Sequence, residues 1–170
     1  MTSSLSHCLR VLVAMVPVAW GAMACGDEIG DPCSLSSDCS ADGSRICDSA
    51  SFEGYCTIQG CDENSCPEDS ACIRFFTGAF ANRPCDPATE DVATDMCAAD
   101  ELCALEGECV PRSSEVRYCM KTCGENGDCR DGYECRDLEL MKAHGGEPVL
   151  AAGQVVTDSA PNFCATSPSN

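Results

Sequence analysis

The sequence predicts a small disulfide-rich protein: two tandem eight-cysteine modules with short strands, turns and little regular secondary structure. Three observations lead to this fold class. The chain has 18 cysteines among 170 residues, its formal net charge is −18, and only 21 Leu, Ile, Val and Phe residues follow residue 24. Such an acidic chain with few large apolar side chains would normally stay disordered. Disulfides replace the missing core, because each native bridge typically contributes about 2–4 kcal/mol.

Residues 1–24 predict a secretory signal peptide. His7 and Arg10 precede the apolar run VLVAMVPVAW at residues 11–20, and small residues follow up to Ala24. A short basic region, an apolar stretch and an Ala-x-Ala end are the parts of such a signal. The run is too short to span a bilayer, which takes about 20 residues. A short buried helix is the alternative, but the polar chain that follows offers no other core for it to join.

The remaining residues, 25–170, are strongly acidic. Removing residues 1–24 takes away Arg10 and no acidic residue, so 28 acidic side chains face nine basic ones and the net charge is −19. This charge argues against nucleic acid as a partner, since phosphates need Lys and Arg. It also argues against electrostatic docking on an anionic lipid surface. Disulfides need an oxidising compartment, which the signal peptide makes accessible.

The cysteines from residue 33 onward form two sets of eight. Six of the seven gaps agree between the sets to within two residues, and the seventh is longer in the second set because of a loop insertion at residues 136–163. Long insertions add little to the entropy of loop closure. We therefore expect a first module at residues 33–85, a linker at 86–96, a second module at 97–164 and a C-terminal tail at 165–170. The predicted disulfide cysteines are Cys33, Cys39, Cys47, Cys56, Cys61, Cys66, Cys72, Cys85, Cys97, Cys103, Cys109, Cys119, Cys123, Cys129, Cys135 and Cys164.

A smaller repeat lies within each predicted module. The spacing C-x4/5-C-x5/7-C occurs four times, starting at Cys33, Cys61, Cys97 and Cys123, and each triplet is followed by a later cysteine. Two bridges within each group of four would be self-consistent. The sequence leaves the connectivity open, because the number of possible pairings rises steeply with the number of cysteines.

Regular secondary structure should be sparse, because most segments between cysteines are 3–9 residues long and carry turn formers. Short strands fit such lengths better than helices do. We expect strands at residues 55–58 and 117–121, and a hairpin at residues 148–156 within the insertion. Residues 138–144 predict one or two helical turns that stop at the Gly-Gly pair that follows.

The sequence contains no recognisable catalytic motif, and we expect neither enzymatic activity nor a cofactor. His144 is the only histidine after residue 24, and it lies beside two glycines in the insertion. A Ser-His-Asp or Cys-His site needs a histidine that a third group orients in a pocket. Zinc sites favour C-x2-C pairs, whereas the closest two cysteines here, Cys119 and Cys123, have three residues between them.

The stretch DCSADG at residues 38–43 partly matches a calcium-binding loop. Its Asp, Ser and Asp side chains stand at alternate positions before a glycine, but Ser49 occupies the position where an EF-hand has a bidentate Glu. A solvated acidic turn is the favoured interpretation, and the Asp-Cys pair at residues 128–129 is interpreted in the same way.

The densest aromatic and basic cluster lies at residues 73–84 and is a candidate recognition loop. Its members are Arg74, Phe75, Phe76, Phe80 and Arg83. The favoured interpretation is that these rings form the small core of the first module. One alternative is an exposed patch for a protein partner. Another is a disulfide-held loop that presents one of the two arginines to a protease, as an inhibitor would.

Cys25 is left over when the two sets of eight are counted, since Cys8 lies in the signal peptide. The residues AMAC at 22–25 resemble a bacterial lipobox, although Ala22 stands where that motif prefers Leu and Met23 is larger than usual. The resemblance implies that Cys25 carries a diacylglyceryl group on its sulfur and an acyl group on its amine, which together give stable anchoring. Cleavage by an ordinary signal peptidase is the alternative, and it would leave Cys25 free.

The chain after residue 24 resembles the cysteine-rich lipoproteins of Gram-negative bacteria, which pair a lipobox with C-x5-C-x5-C repeats. The resemblance implies a lipid anchor in the outer membrane, with the protein facing the periplasm or the cell surface. Gly26 agrees with this location, because enteric lipoproteins retained in the inner membrane have Asp there. Residues 25–32 would be the lipidated cysteine and a short tether, and the steps from Cys25 to Cys33 span at most about 28 Å.

The expected function is that of a non-enzymatic envelope or surface lipoprotein with a protein-binding, adhesive or structural role. The expected partners are the membrane, through the lipid anchor, and a protein of unknown identity, with no nucleic acid. One alternative is a secreted disulfide-rich inhibitor or ligand-like module that presents a constrained loop. A second alternative is a calcium-dependent binding module.

Overall fold

The computed structural model describes residues 28–80, 83–89, 97–151 and 154–168. The predicted signal peptide, Cys25 and residues 90–96 of the predicted linker lie outside this part of the chain. Two α-helices, nine β-strands and two 3-10 turns occur in the described residues. In chain order they are α1 Ser36–Cys39, β1 Ile46–Cys47, β2 Cys56–Thr57, β3 Ser70–Phe76, β4 Glu101–Cys103, β5 Cys109–Pro111, a 3-10 turn Arg112–Ser114, β6 Glu115–Lys121, a 3-10 turn Asn126–Asp128, β7 Tyr133–Arg136, α2 Leu138–His144, β8 Glu147–Pro148 and β9 Phe163–Thr166.

The predicted fold class of a small disulfide-rich protein is confirmed: in the described residues the longest helix and the longest strands have only seven residues each, and disulfides join the cysteines. The strands expected at residues 55–58 and 117–121 correspond to β2 and β6. The helix expected at residues 138–144 is α2. It begins where the Asp137 carboxylate accepts a hydrogen bond from the Leu140 N–H at 2.9 Å, and it ends at Gly145, whose φ of 80° suits only glycine well.

A long hairpin made of β3 and β6 forms the central sheet. The strands pair antiparallel over seven residues, from Ser70 opposite Lys121 to Phe76 opposite Glu115. β8 pairs with the other edge of β3, which gives the order β6-β3-β8. The connection between the two long strands, residues 77–114, contains the separate hairpin of β4 and β5. β1 pairs with β2 and β7 pairs with β9 in two further two-stranded sheets.

Eight disulfides join all sixteen cysteines of the described residues. The bridges are Cys33–Cys47, Cys39–Cys56, Cys61–Cys72, Cys66–Cys119, Cys85–Cys103, Cys97–Cys109, Cys123–Cys135 and Cys129–Cys164. The same connectivity occurs four times, because in each group of four cysteines the first pairs with the third and the second with the fourth. We call the groups units 1 to 4: unit 1 has Cys33, Cys39, Cys47 and Cys56; unit 2 has Cys61, Cys66, Cys72 and Cys119; unit 3 has Cys85, Cys97, Cys103 and Cys109; unit 4 has Cys123, Cys129, Cys135 and Cys164.

Unit 3 lies inside unit 2 in the sequence. The grouping of each cysteine triplet with the cysteine that follows it holds for units 1 and 4 and is wrong in the middle of the chain, where Cys66 pairs with Cys119 and Cys85 pairs with Cys103. The physical reason is the central hairpin. It places Cys119 directly opposite Cys72, and so beside the Cys61–Cys72 bridge and within reach of Cys66.

The two predicted modules are covalently joined to each other. The Cys66–Cys119 and Cys85–Cys103 bridges and the pairing of β3 with β6 all cross the boundary predicted at residues 86–96. Residues 33–85 and 97–164 therefore share one disulfide framework and one central sheet. The four-cysteine unit is the repeat that the bridges follow.

The hydrophobic core surrounds β3 and is small. Ile73 and Phe163 have no exposed surface, and Tyr55 and Met141 are almost as completely buried. Phe163 packs edge-on against Phe75, with ring centroids 6.1 Å apart. Several bridge cysteines belong to the same cluster, so disulfides and apolar side chains pack as one core.

The insertion at residues 136–163 returns to the central sheet. The hairpin predicted at residues 148–156 is wrong for the part that the structure describes, because Glu147–Pro148 pairs with β3 and residues 149–151 and 154–156 form no strand; residues 152–153 lie outside the described part. The open edge of β3 supplies the hydrogen-bonding partner. The Val149 N–H extends the pairing by donating to the Cys72 carbonyl at 2.8 Å. Residues 165 and 166 of the predicted tail lie in β9.

No helix in the described ranges is long and apolar enough to cross a membrane.

Candidate functional site

The fold begins almost immediately after Cys25. Ile29 is only 6% exposed and belongs to the core cluster. The Gly30 N–H donates to the Cys56 carbonyl at 2.9 Å, and the Cys56 N–H donates to the Asp31 carbonyl at 2.9 Å. The Asp31 carboxylate accepts a hydrogen bond from the Glu28 N–H at 2.7 Å. Residues 28–31 are therefore held against β2.

The predicted tether at residues 25–32 is corrected by this packing. Burial of the isoleucine in the polar stretch GDEIGDP lowers the free energy of the folded state, because its apolar surface leaves water. The residues on either side of it are therefore held next to the core. Ile29 follows Cys25 by four residues, and four steps of about 3.5 Å span at most about 14 Å. A lipid anchor on Cys25 would hold the body of the protein close to the bilayer surface.

The surface around this entry point carries both signs of charge. A shallow cavity of about 260 Å³ is lined by Glu28 and Ile29 together with Arg45, Asp69 and Lys121, among others. A Cβ added at Gly30 would lie 3.2 Å from the Lys121 Cβ, which shows how closely Lys121 packs against the entering chain. We call this region the entry face.

Three members of the candidate recognition loop lie in β3. The Arg74 Nε donates to the buried Glu147 carboxylate at 2.8 Å, and the Arg74 guanidinium lies 5.8 Å from the Phe76 ring centroid. Phe75 contacts Tyr118, with ring centroids 6.4 Å apart, as well as Phe163 in the core. The structure thus places residues 74–76 in the central sheet, with Phe75 at the edge of the core.

The other two members lie in the connection that leads to unit 3. Phe80 is half-buried, and Arg83 forms an ion pair with Glu101 in β4. The backbone of Arg83 also accepts a hydrogen bond from the Cys109 N–H at 2.9 Å. The five residues are therefore divided between the central sheet and the connection to unit 3, and residues 81–82 of the loop lie outside the described part. Both arginines that an inhibitor loop would present are engaged by carboxylates.

Two buried charged groups were not singled out from the sequence. The Arg136 guanidinium donates to the carbonyls of His144, Gly145 and Thr166 at 2.7–2.9 Å, and its Nε pairs with Glu134. Burial lowers the pKa of Arg136 and raises the pKa of Glu147, and the pairing with Arg74 partly offsets the effect on Glu147. The Arg136 contacts connect α2 to β9, and the Glu147 carboxylate pairs with Arg74 in β3. Both buried charges therefore have structural partners. The only sequence feature that could have identified Arg136 and Glu147 as buried is the position of each in or beside an apolar segment.

His144 lies in the last turn of α2. Its Nδ1 is 2.7 Å from a Glu134 carboxylate oxygen that Arg136 also contacts. A histidine beside a carboxylate can serve a nucleophile. Every cysteine of the described residues is in a disulfide, so none of them offers a thiolate as that nucleophile. The arrangement is a close polar contact between an imidazole and a carboxylate at the surface of the helix.

The carboxylates of the acidic turn at residues 38–43 accept hydrogen bonds from nearby backbone N–H groups. Asp38 accepts hydrogen bonds from the N–H groups of Ser34 and Leu35 at 2.9 and 2.8 Å, and Asp42 accepts one from the Ser44 N–H at 3.0 Å. These hydrogen bonds lower the pKa of both aspartates. Asp128 has the same position and the same type of bonds in unit 4. The repeated Asp-Cys pair is thus the signal of a turn, as the favoured interpretation has it.

Comparison with known proteins gives no relative: no family model, no curated protein and no solved structure matches this chain.

Proposed function

We propose that this chain is a lipid-anchored, non-enzymatic envelope or surface protein with a protein-binding, adhesive or structural role. The observation that carries the proposal is the parity of the cysteines. The eight bridges use every cysteine from Cys33 onward. Cys25 is then the single cysteine without an intrachain partner once residues 1–24 are removed. Lipidation of its sulfur accounts for that odd cysteine and for the similarity of AMAC to a lipobox.

The packing at the entry face supports the same proposal. With Ile29 buried, residues 26–28 are the only ones between the Cys25 anchor and the first core residue. Several acyl chains on one residue hold a protein on a membrane stably, whereas a single chain does not. Such a connection suits a permanent resident of the membrane surface. The outer membrane is the proposed location, because Gly26 rather than Asp follows Cys25.

A structural or binding role fits the rest of the molecule better than catalysis does. Eight bridges restrain a chain with a small core, which gives a rigid body rather than one with a mobile lid. In the described residues, the cysteines are bridged and His144 is held beside the Glu134 carboxylate. A rigid acidic body near a bilayer can present a surface to a protein partner without any chemistry of its own.

The test is the intact mass of the protein recovered from the membrane fraction of a Gram-negative host. We expect the mature chain to start at Cys25 with a diacylglyceryl group and one further acyl chain, and to sediment with the outer membrane on a density gradient. The Cys25→Ser variant keeps all eight bridges and is the matched control; it should lose both the lipid mass and the membrane association. A mature chain that starts at an unmodified Cys25 would refute the anchor.

The binding role has its own test. The mature protein without lipids, immobilised through its N-terminus, should retain a specific protein from an envelope extract under non-reducing conditions. The same protein after reduction and alkylation is the control, because it keeps the charge and loses the fold. Equal retention by both forms would show a non-specific charge effect and contradict a binding role.

A further inference from the structure

We infer that this chain is a substrate of a disulfide isomerase: its native bridges are reached by thiol–disulfide exchange with such a partner, and an oxidase alone does not reach them. The inference concerns only the sixteen cysteines from Cys33 to Cys164. It therefore stands or falls separately from the proposed lipid anchor.

The order of the bridges carries the inference. No bridge of the described structure joins two cysteines that are consecutive in the sequence. In unit 1, for example, Cys39 lies between Cys33 and Cys47. The Cys66–Cys119 bridge has a sequence separation of 53 residues and encloses all of unit 3. A short loop closes at a smaller entropic cost than a long one, and an exported chain emerges from its N-terminus. The first bridges that an oxidase makes therefore join neighbours, and they are non-native.

Folding before oxidation does not select the partners. The reduced chain after residue 24 has a net charge of −19 and only 21 Leu, Ile, Val and Phe residues, which is the composition of a disordered chain. The core cluster itself includes Cys61, Cys72 and Cys119, so its packing depends on the bridges. Native contacts thus form together with the disulfides and give little guidance in advance.

Chance pairing does not reach the native set either. Four cysteines allow three pairings, so four independent units would all pair correctly in roughly one molecule in 81. Bridges between different units lower that fraction further.

The geometry within each unit favours repair by exchange. Three sulfur atoms that belong to two different bridges lie within 4.8 Å of one another in every unit, such as those of Cys33, Cys39 and Cys47. A thiolate freed at one of these positions lies beside the neighbouring bridge. One attack from outside is therefore enough to start a series of exchanges within the unit.

The exchange balances without a further reactant. An isomerase thiolate attacks one sulfur of a non-native bridge, the old S–S bond breaks, a mixed disulfide forms and the other sulfur leaves as a thiolate. That thiolate attacks a neighbouring bridge, and a last attack on the mixed disulfide releases the isomerase thiolate. No electrons are gained or lost in these steps. The two electrons and two protons of each original bridge have already passed to the disulfide of the oxidase.

The test is oxidative refolding of residues 25–170 with Cys25→Ser, so that the sixteen bridge cysteines are the only thiols. The reduced chain is incubated with a thioredoxin-fold dithiol oxidase alone, with the oxidase and a disulfide isomerase, or with the oxidase and an isomerase whose active-site cysteines are replaced by Ser. Peptide mapping after alkylation gives the pairing. We expect the active isomerase to raise the fraction with all eight native bridges by at least about tenfold. Equal fractions in the three reactions overturn the inference.

A second variant tests the role of sequence order within one molecule. Cys39→Ala with Cys56→Ala makes Cys33 and Cys47 consecutive cysteines. We expect their bridge to form with the oxidase alone, while the Cys123–Cys135 bridge of the same molecules still needs the isomerase. Peptides report the pairing whether or not the variant folds. If both bridges form equally well without the isomerase, or both require it, sequence order is not the cause.

Discussion

At the scale of single residues, ionised aspartates hold the turns that precede the second cysteine of units 1 and 4. Asp128 accepts hydrogen bonds from the N–H groups of Gly124 and Glu125 at 2.8 and 3.1 Å, and these bonds lower its pKa. The charged form is the better acceptor, so the native state favours it. A carboxyl whose pKa is lowered on folding stabilises the fold above its unfolded value, and this contribution disappears as the pH falls through the folded value.

Asp128→Ala should therefore lower the melting temperature at neutral pH and have little effect in strong acid. The measurement is a series of thermal melts from neutral pH into strong acid, in which the stability of Asp128→Ala is compared with that of the unchanged protein at each pH. Asp131→Ala, at an exposed position three residues further on, is the matched control. A loss of stability in Asp128→Ala that stays constant across the whole series would contradict a role for the carboxylate charge.

Gly54 is required by the close approach of two chain segments in unit 1. Its φ is 67°, and a Cβ built there would lie 2.0 Å from the Cys33 carbonyl oxygen. Gly43 has a similar φ of 75°, but a Cβ there would meet nothing within 4 Å. The two glycines share the backbone conformation and differ in the space around them.

Gly54→Ala and Gly43→Ala should separate the two costs. Gly43→Ala pays only for the left-handed backbone, about 1–2 kcal/mol. Gly54→Ala adds a clash with main-chain atoms and should cost at least about 3 kcal/mol in the free energy of unfolding. Urea unfolding with the disulfides intact measures both. Equal losses in the two variants would contradict the close approach.

At the scale of elements, unit 3 is an insertion at the tip of the central hairpin. Phe76 and Glu115 are opposite each other, so the ends of the 77–114 connection are already one strand spacing apart. Both bridges of unit 3 close within this connection, and none leaves it. Unit 3 contacts the remainder of the protein through Leu105, among other residues, and Leu105 packs against the core cluster.

Replacing residues 77–114 by Asn-Gly should therefore leave a folded protein. A two-residue type I′ turn fits an antiparallel hairpin, and twelve cysteines would remain in six bridges with unchanged partners. We expect a modest loss of stability from the missing Leu105 contact, and a peptide map that retains Cys66–Cys119. The same replacement with Cys66 and Cys119 both changed to Ala is the control for that bridge. Scrambled pairing of the six bridges would show that unit 3 is needed to form the hairpin.

Local signals predict some of these elements and long-range contacts decide the others. The sequence predicts β6 and α2 well, because a β-prone run and an N-cap with a glycine stop are encoded in adjacent residues. It does not identify β3, since Arg74 interrupts the apolar run and its partner Glu147 is 73 residues away. The wrong hairpin at residues 148–156 has the same origin, because the segment pairs with β3 instead of with itself. Cysteine spacing cannot show that Cys66 pairs with Cys119, since that choice follows from the β3–β6 register.

At the scale of the whole molecule, the distance from Cys25 to the fold determines how the protein would sit on a membrane. After residue 24 the sequence contains one cysteine, Cys25, beyond the two sets of eight, and its residues 25–32 read as a polar tether. The burial of Ile29 corrects that interpretation and becomes visible only when the core is known. If Cys25 is lipidated, at most about 14 Å of chain separates it from Ile29, and the entry face would lie near the lipid surface. This consequence rests on the proposed anchor at Cys25, and the two lysines of the chain make it measurable.

Lys121 lies on the entry face, whereas Lys142 lies in α2 with 45% of its side chain exposed. They are the only lysines in the sequence, and a lipidated Cys25 has no free amine. A water-soluble amine-acylating reagent should therefore modify Lys121 several-fold more slowly, relative to Lys142, in lipid vesicles than in the delipidated protein. A flexible ten-residue Gly-Ser insertion after Asp27 keeps the anchor and lets the body move away from the bilayer, because about ten flexible residues reach a root-mean-square distance of about 17 Å. The insertion should restore the Lys121 rate in vesicles. An unchanged ratio of the two rates, in protein whose lipid mass has been verified, would mean that the entry face points away from the membrane.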